Sequence, residues 1–116
     1  NEEEIEEFED KLQDRFGELP VQAHDLLNSV RIKWVAKSFG LERVVLKQKR
    51  MIGYFVADQN SDFYQGPQFS KILKYVQNNG QTCVMKEKET KKGLRLLLTF
   101  IRIDTIEKAL DTLRSI

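Results

Sequence analysis

His24 is the only histidine in the chain and Cys83 the only cysteine, so the residues best suited to acid–base and nucleophilic chemistry each stand alone. A nucleophilic triad needs a base beside the nucleophile. His24 instead lies between Ala23 and Asp25 in a helical pattern, which reads as a packing or surface histidine. Zinc needs several thiolates or imidazoles at C-x-x-C or H-x-x-x-H spacing, and one Cys with one distant His excludes a structural zinc site. Cys83 has no partner for an intrachain disulfide, which places the chain in a reducing compartment and reads Cys83 as a small buried hydrophobe. None of the six glycines forms a phosphate-cradling G-x-G-x-x-G or G-x-x-x-x-G-K-[ST] turn.

The remaining candidates are charged. Asp10 and Asp14 stand at helical spacing, as two carboxylates aimed at one substrate would. No apolar surroundings are present to raise a pKa, so the pair reads as a solvated or partner-facing helix surface. Two basic clusters follow: Lys47, Lys49 and Arg50, then Lys86, Lys88, Lys91 and Lys92. Aromatic residues do not alternate with them, and Glu87 and Glu89 dilute the second cluster, so stacking on single-stranded nucleic acid has little support. Lys47, Lys49 and Arg50 are the candidate nucleic-acid contacts, joined by the second cluster if both hairpin tips lie at one end of a sheet.

These residues sit on a chain of 116, with 41% hydrophobic and 32% charged residues. That is enough for one domain with a core that needs neither metal nor disulfide. The net charge of +1 excludes a uniformly basic binder but hides a segregation. Residues 1–30 hold ten acids and two bases; residues 31–116 hold eight acids and seventeen bases. The acidic start is suited to a basic protein surface, with fast and salt-sensitive association. No apolar run approaches the ~18 residues of a membrane span, and the acidic start lacks a signal-peptide h-region. The absent initiator Met gives the expectation of a domain excised from a longer chain, with 1–116 as a single domain.

Hydrophobic periodicity supplies the elements. Ile5, Phe8, Leu12 and Phe16 mark one face of an amphipathic helix that Gly17 ends. Leu19-Pro20 opens a second helix with the stripe Ala23, Leu26, Leu27, Val30, Trp34 and Val35, closed by Phe39-Gly40. Leu41–Gln48 and Met51–Ala57 predict a hairpin around Lys49-Arg50, and a loop runs from Asp58 to Gly66. Phe69, Ile72, Leu73 and Val76 predict a third helix that stops at Asn78-Asn79-Gly80. Thr82–Glu89 and Leu94–Ile103 predict a second hairpin, and Asp104 with Glu107 predicts a capping box for a last helix bearing Ile106, Leu110 and Leu113. The order ααββαββα gives an α+β fold, with an N-terminal helix pair and then a small, mainly antiparallel sheet of about four strands covered by helices. The strand from Leu94, apolar on both sides towards its end, should be central.

The block Asp14-Arg15-Phe16-Gly17-Glu18-Leu19-Pro20 follows Phe8-Glu9-Asp10-Lys11-Leu12 and precedes Leu26-Leu27-Asn28 and Ala36-Lys37-Ser38-Phe39-Gly40-Leu41. It resembles the C-terminal (TRCF) domain of the bacterial transcription-repair coupling factors, the Mfd family. The likeness is close over about the first forty residues and continues as pattern. The resemblance implies a parent that is an ATP-driven duplex-DNA translocase, displacing stalled RNA polymerase and recruiting UvrA. It implies that this domain is regulatory and not itself an enzyme. It would dock on the UvrB-like N-terminal domain, mask UvrA binding and restrain the motor in the cytoplasm. Cofactors, ATP and Mg, would belong to upstream motor domains, with none in this domain and no membrane partner. Asp10, Asp14, Arg15, Phe16 and Glu18 become the candidate partner-binding residues, with Phe16 and Leu19 fixing the joint. The alternative is a DNA-binding accessory module that uses the basic hairpin tips.

Overall fold

In the computed structural model, which describes residues 1–116, the first helix, α1, spans Glu2–Phe16. Asn1 caps it by accepting from the Glu4 N–H at 2.9 Å, and Glu2, Glu3 and Glu4 place carboxylates at the positive end of its dipole. Gly17 ends it at φ 78°, its N–H donating to the Gln13 carbonyl at 2.8 Å. Helix α2 (Val21–Ser38) follows, with Pro20 in extended conformation at its N-cap, just outside the first turn. Strands β1 (Leu41–Lys47) and β2 (Arg50–Phe55) form the first hairpin. A 3-10 turn (Asp62–Gln65) within the expected loop leads to α3 (Pro67–Asn78). Strands β3 (Cys83–Thr90) and β4 (Gly93–Ile101) form the second hairpin, and α4 (Ile106–Arg114) closes the chain. The fold is α+β in the expected order, ααββαββα.

The four strands are antiparallel in the order β1-β2-β4-β3, so β4 is an inner strand as its apolar sequence requires. The first turn is displaced by one residue from its predicted position. Gln48 and Lys49, at φ 53° and 60°, form the two-residue loop, and Arg50 already pairs with Lys47 in the ladder. Positive φ at both central positions matches the twist of the strands, which a Lys49-Arg50 turn would break. The last helix is capped by Thr105, whose Oγ1 accepts from the Lys108 N–H at 3.0 Å, and not by Asp104. Arg102, at φ 60°, turns the chain so that Thr105 reaches the cap position.

The core lies on one side of the sheet. Met51, Phe55, Leu98, Phe100 and Cys83 meet Ile32, Ala36 and Phe39 of α2 and its C-cap, Ile72 of α3, and Ala109, Leu110 and Leu113 of α4. Gly40 is required where α2 turns into β1. Its φ is 72°, and a Cβ there would clash with the tip of the Phe63 ring, at its Cζ. A separate small cluster, Ile5, Leu19 and Leu27, joins α1 to α2. The radius of gyration is 15.9 Å, against about 13 Å for a compact chain of this length; α1 is joined mainly to the first half of α2, whose second half packs into the core.

Two expected stripes are corrected by this arrangement. Phe8 and Phe16 are 55% and 70% exposed, because only α2 covers α1 and it meets the Ile5 and Leu12 side. On α2, Leu26 and Trp34 are exposed, and the buried set is Leu27, Arg31, Ile32 and Ala36. That helix packs on α1 with one side and on the sheet and α4 with another, so no single apolar face exists to be read.

Candidate docking surface

The acidic edge begins with how α1 is held. The Arg31 guanidinium, buried on α2, donates from Nε to Glu2 Oε1 at 2.9 Å and from Nη1 to Asn28 Oδ1 at 2.9 Å. Its Nη1 also lies 3.8 Å from Glu9, Arg114 of α4 reaches Glu2 at 3.6 Å, and His24 lies 3.8 Å from Glu9. Thus Glu2 and Glu9 are turned inward and consumed in holding the helix. Asp10, Asp14 and Glu18 are turned outward, exposed and without an ion pair inside the chain. Arg15 stacks over the exposed Phe16 ring at 5.5 Å. Leu19, buried, fixes the joint between the helices; Phe16 is free of it, contrary to expectation.

Sequence reasoning missed the exposed apolar residues of the helix pair. Val21 and Leu26 are 70% and 68% exposed, alongside Phe8 and Phe16 on the same helix pair. Leu26-Leu27 gave a signal, since adjacent helical residues are about 100° apart and cannot both face one neighbour. Arg31 gave another, four residues after Leu27 and so on its face.

The basic clusters behave differently. Lys47, Lys49 and Arg50 do share one tip. The other tip, Lys91-Lys92, lies at the start of β4, whereas Arg50 pairs with Ile101 at its end. The two tips therefore point to opposite ends of the sheet, about 27 Å apart along β4, and make no joint patch. Strand alternation also places Glu87 and Glu89 on the opposite face from Lys86 and Lys88.

Cys83 is 1% exposed, and burial pushes its thiol up to about 11. A thiol raised in the folded state stabilises it fully below the ordinary value of 9.0 and loses that contribution as pH rises towards about 11. Ellman's reagent at pH 8 should label Cys83 only after denaturation; rapid labelling of the native protein would contradict its burial. A groove of about 720 Å³ between α2 and β1 is lined by Ile32, Ala36, Leu41 and Val44, with Lys33 and Lys37 along it. No group of three His, Cys, Asp or Glu side chains is arranged to hold a metal ion.

Residues 1–66 match the family model of the TRCF domain, a span that takes in α1, α2, the first hairpin and the 3-10 turn. The chain belongs to the TRCF domain family. No curated protein and no solved structure gives a significant match. The family is that of the TRCF domain of transcription-repair coupling factors, so the match includes the acidic helix pair with Asp10, Asp14 and Glu18. No helix of this TRCF domain is long and apolar enough to cross a membrane.

Proposed function

We propose that this TRCF domain is a regulatory docking module that acts through its N-terminal helix pair. The observation that carries the reading is that one helix pair presents unpaired outward carboxylates, Asp10, Asp14 and Glu18, and, on other sides of the same helices, exposed Phe8, Phe16, Val21 and Leu26. An interface needs apolar anchors for affinity and charge for register and rate, and the helix pair as a whole offers both. Its occupant would be the UvrB-like N-terminal domain of the parent coupling factor, covered so that UvrA binding is masked and the ATP-driven translocase is restrained. RNA polymerase and duplex DNA would be reached through the parent, in the cytoplasm. ATP and Mg would act in the parent's motor domains, with no cofactor in this domain. A modest contact suffices for a reversible mask, because tethering supplies effective concentrations up to the millimolar range.

Asp14→Lys tests the reading directly. Binding to the N-terminal fragment of the parent, measured by calorimetry at low salt, should weaken about tenfold or more, since a close interfacial charge pair is worth about 1.5 kcal/mol upward. Unchanged affinity would remove Asp14 from the interface. The alternative, a DNA-binding accessory module, keeps one supporting observation: Lys47, Lys49 and Arg50 share a tip. Its mark would be salt-dependent duplex binding in a gel shift, lost when those three are neutralised.

A further inference from the structure

The sheet has a second face, turned away from every helix of the core. Antiparallel register arranges its side chains in rows across the strands. One row takes Val45, Ile52, Thr99 and Val84, a residue from each of the four strands. On one side of it runs the row Arg43, Tyr54, Leu97 and Lys86, with Arg95 and Lys88 beyond. On the other side runs Lys47, Arg50 and Ile101. Leu97 is 7% exposed yet belongs to neither hydrophobic cluster, so its neighbours on this face shield it and no helix does.

Cations dominate this face, with Glu42 the one carboxylate that reaches it. Arg43, Lys47, Arg50, Lys86 and Lys88 have no carboxylate partner. Arg95 alone is paired, with Glu42 at 3.2 Å. Arg43 and Arg95 both stack on the Tyr54 ring, at 5.4 and 5.7 Å, so guanidinium groups already occupy the one aromatic ring of these rows. The cations therefore flank an apolar line and do not occupy it. A phosphate backbone would lie best along a line of cations, so this pattern disfavours nucleic acid.

The dimensions fit a helix. Four strands about 4.8 Å apart make the apolar row about 14 Å long, and the flanking rows lie about 7 Å to either side. A helix laid across the strands covers that length in about two and a half turns, seating positions i, i+3 or i+4, and i+7 on the row. Carboxylates on both sides of its apolar stripe would meet the flanking cations. We propose that this open sheet face docks an amphipathic protein helix with acidic residues on both sides of a narrow apolar stripe. The site goes beyond the helix-pair reading and involves none of its residues.

The test uses the 116-residue chain and one synthetic, fluorescein-labelled 18-residue helical peptide, with Leu at i, i+3, i+4 and i+7 spacing and Glu on both flanks. Anisotropy in low salt should give saturable binding, and amide shifts should map to β1, β2, β3 and β4 positions of the open face. Arg50→Glu with Lys86→Glu should weaken binding about tenfold or more. Val84→Glu, at a position already 42% exposed and so tolerant of the change, should weaken it as well. Asp14→Lys should leave it unchanged. Three results would overturn the proposal: equal binding of a control peptide with Gln in place of Leu, tighter binding of a 20-base-pair duplex than of the peptide, or shifts confined to the helix pair.

Discussion

Replacing Arg31 by Ala should release α1 from the domain while the sheet stays folded. The guanidinium is the one buried cation between α1 and α2, and its loss strands Glu9, whose Oε2 is buried and already lacks a hydrogen-bond partner. Breaking a fully buried pair costs about 3 to 5 kcal/mol; here about 2 to 3 is expected, because Glu2 is half open to water and Arg114 still reaches it. Little else opposes release. Ile5, Leu19 and Leu27 contribute about 1.5 to 3 kcal/mol each, against the conformational entropy of ordering the whole helix. Hydrogen exchange is the measurement: amides of residues 2–16 should lose protection while β2 and β4 keep theirs. Uniform loss across the sheet would show that Arg31 supports the whole fold, and intact protection of α1 would show that the apolar cluster alone holds it. Undocking should also reduce partner binding, since Asp10 and Asp14 lose their fixed placement.

Phe55→Ala should be the most destabilising single change. Phe55 is fully buried, with Phe63 at 6.0 Å on the 3-10 turn and Phe69 at 5.8 Å and nearly perpendicular on α3. Truncating a core Phe costs about 3 to 5 kcal/mol, and the edge-to-face pairing adds to its value. A domain of this size has about 5 to 15 kcal/mol in all, so Tm should fall by about 15 °C. Urea unfolding gives the number. A loss under about 1 kcal/mol would mean that Phe63 and Phe69 close over the void, and that the aromatic cluster is more plastic than its geometry implies.

Element order and type were legible because each element had its own period and its own stop: Gly17, Gly40, Pro67 and Gly80 punctuate the chain where the elements change. What one element's sequence leaves open is which neighbour takes which face. The Phe8 and Phe16 stripe on α1 looked like core, because amphipathicity does not say whether the apolar side meets this chain or another. The acidic edge was legible from composition, although Glu2 and Glu9 could not be told from Asp10 and Asp14 until Arg31 was placed. The open sheet face was hidden for a different reason. Its cations come from four strands, and only the register brings Lys86 into line with Arg43. In sequence, Lys86 and Lys88 alternate with Glu87 and Glu89 and seem neutralised; on a pleated strand the two signs part to opposite faces.

The strand order has a bearing on how the domain assembles in time. Each hairpin closes over two residues and forms locally, on the microsecond scale. Their seam is β2 with β4, and making it closes the connection of residues 56–82, which must lose its freedom before the seam's contacts exist to compensate. The domain's folding rate is therefore set at that seam. Shortening the connection through Asp58–Ser61 should speed folding, whereas changes within either hairpin turn should act chiefly on stability.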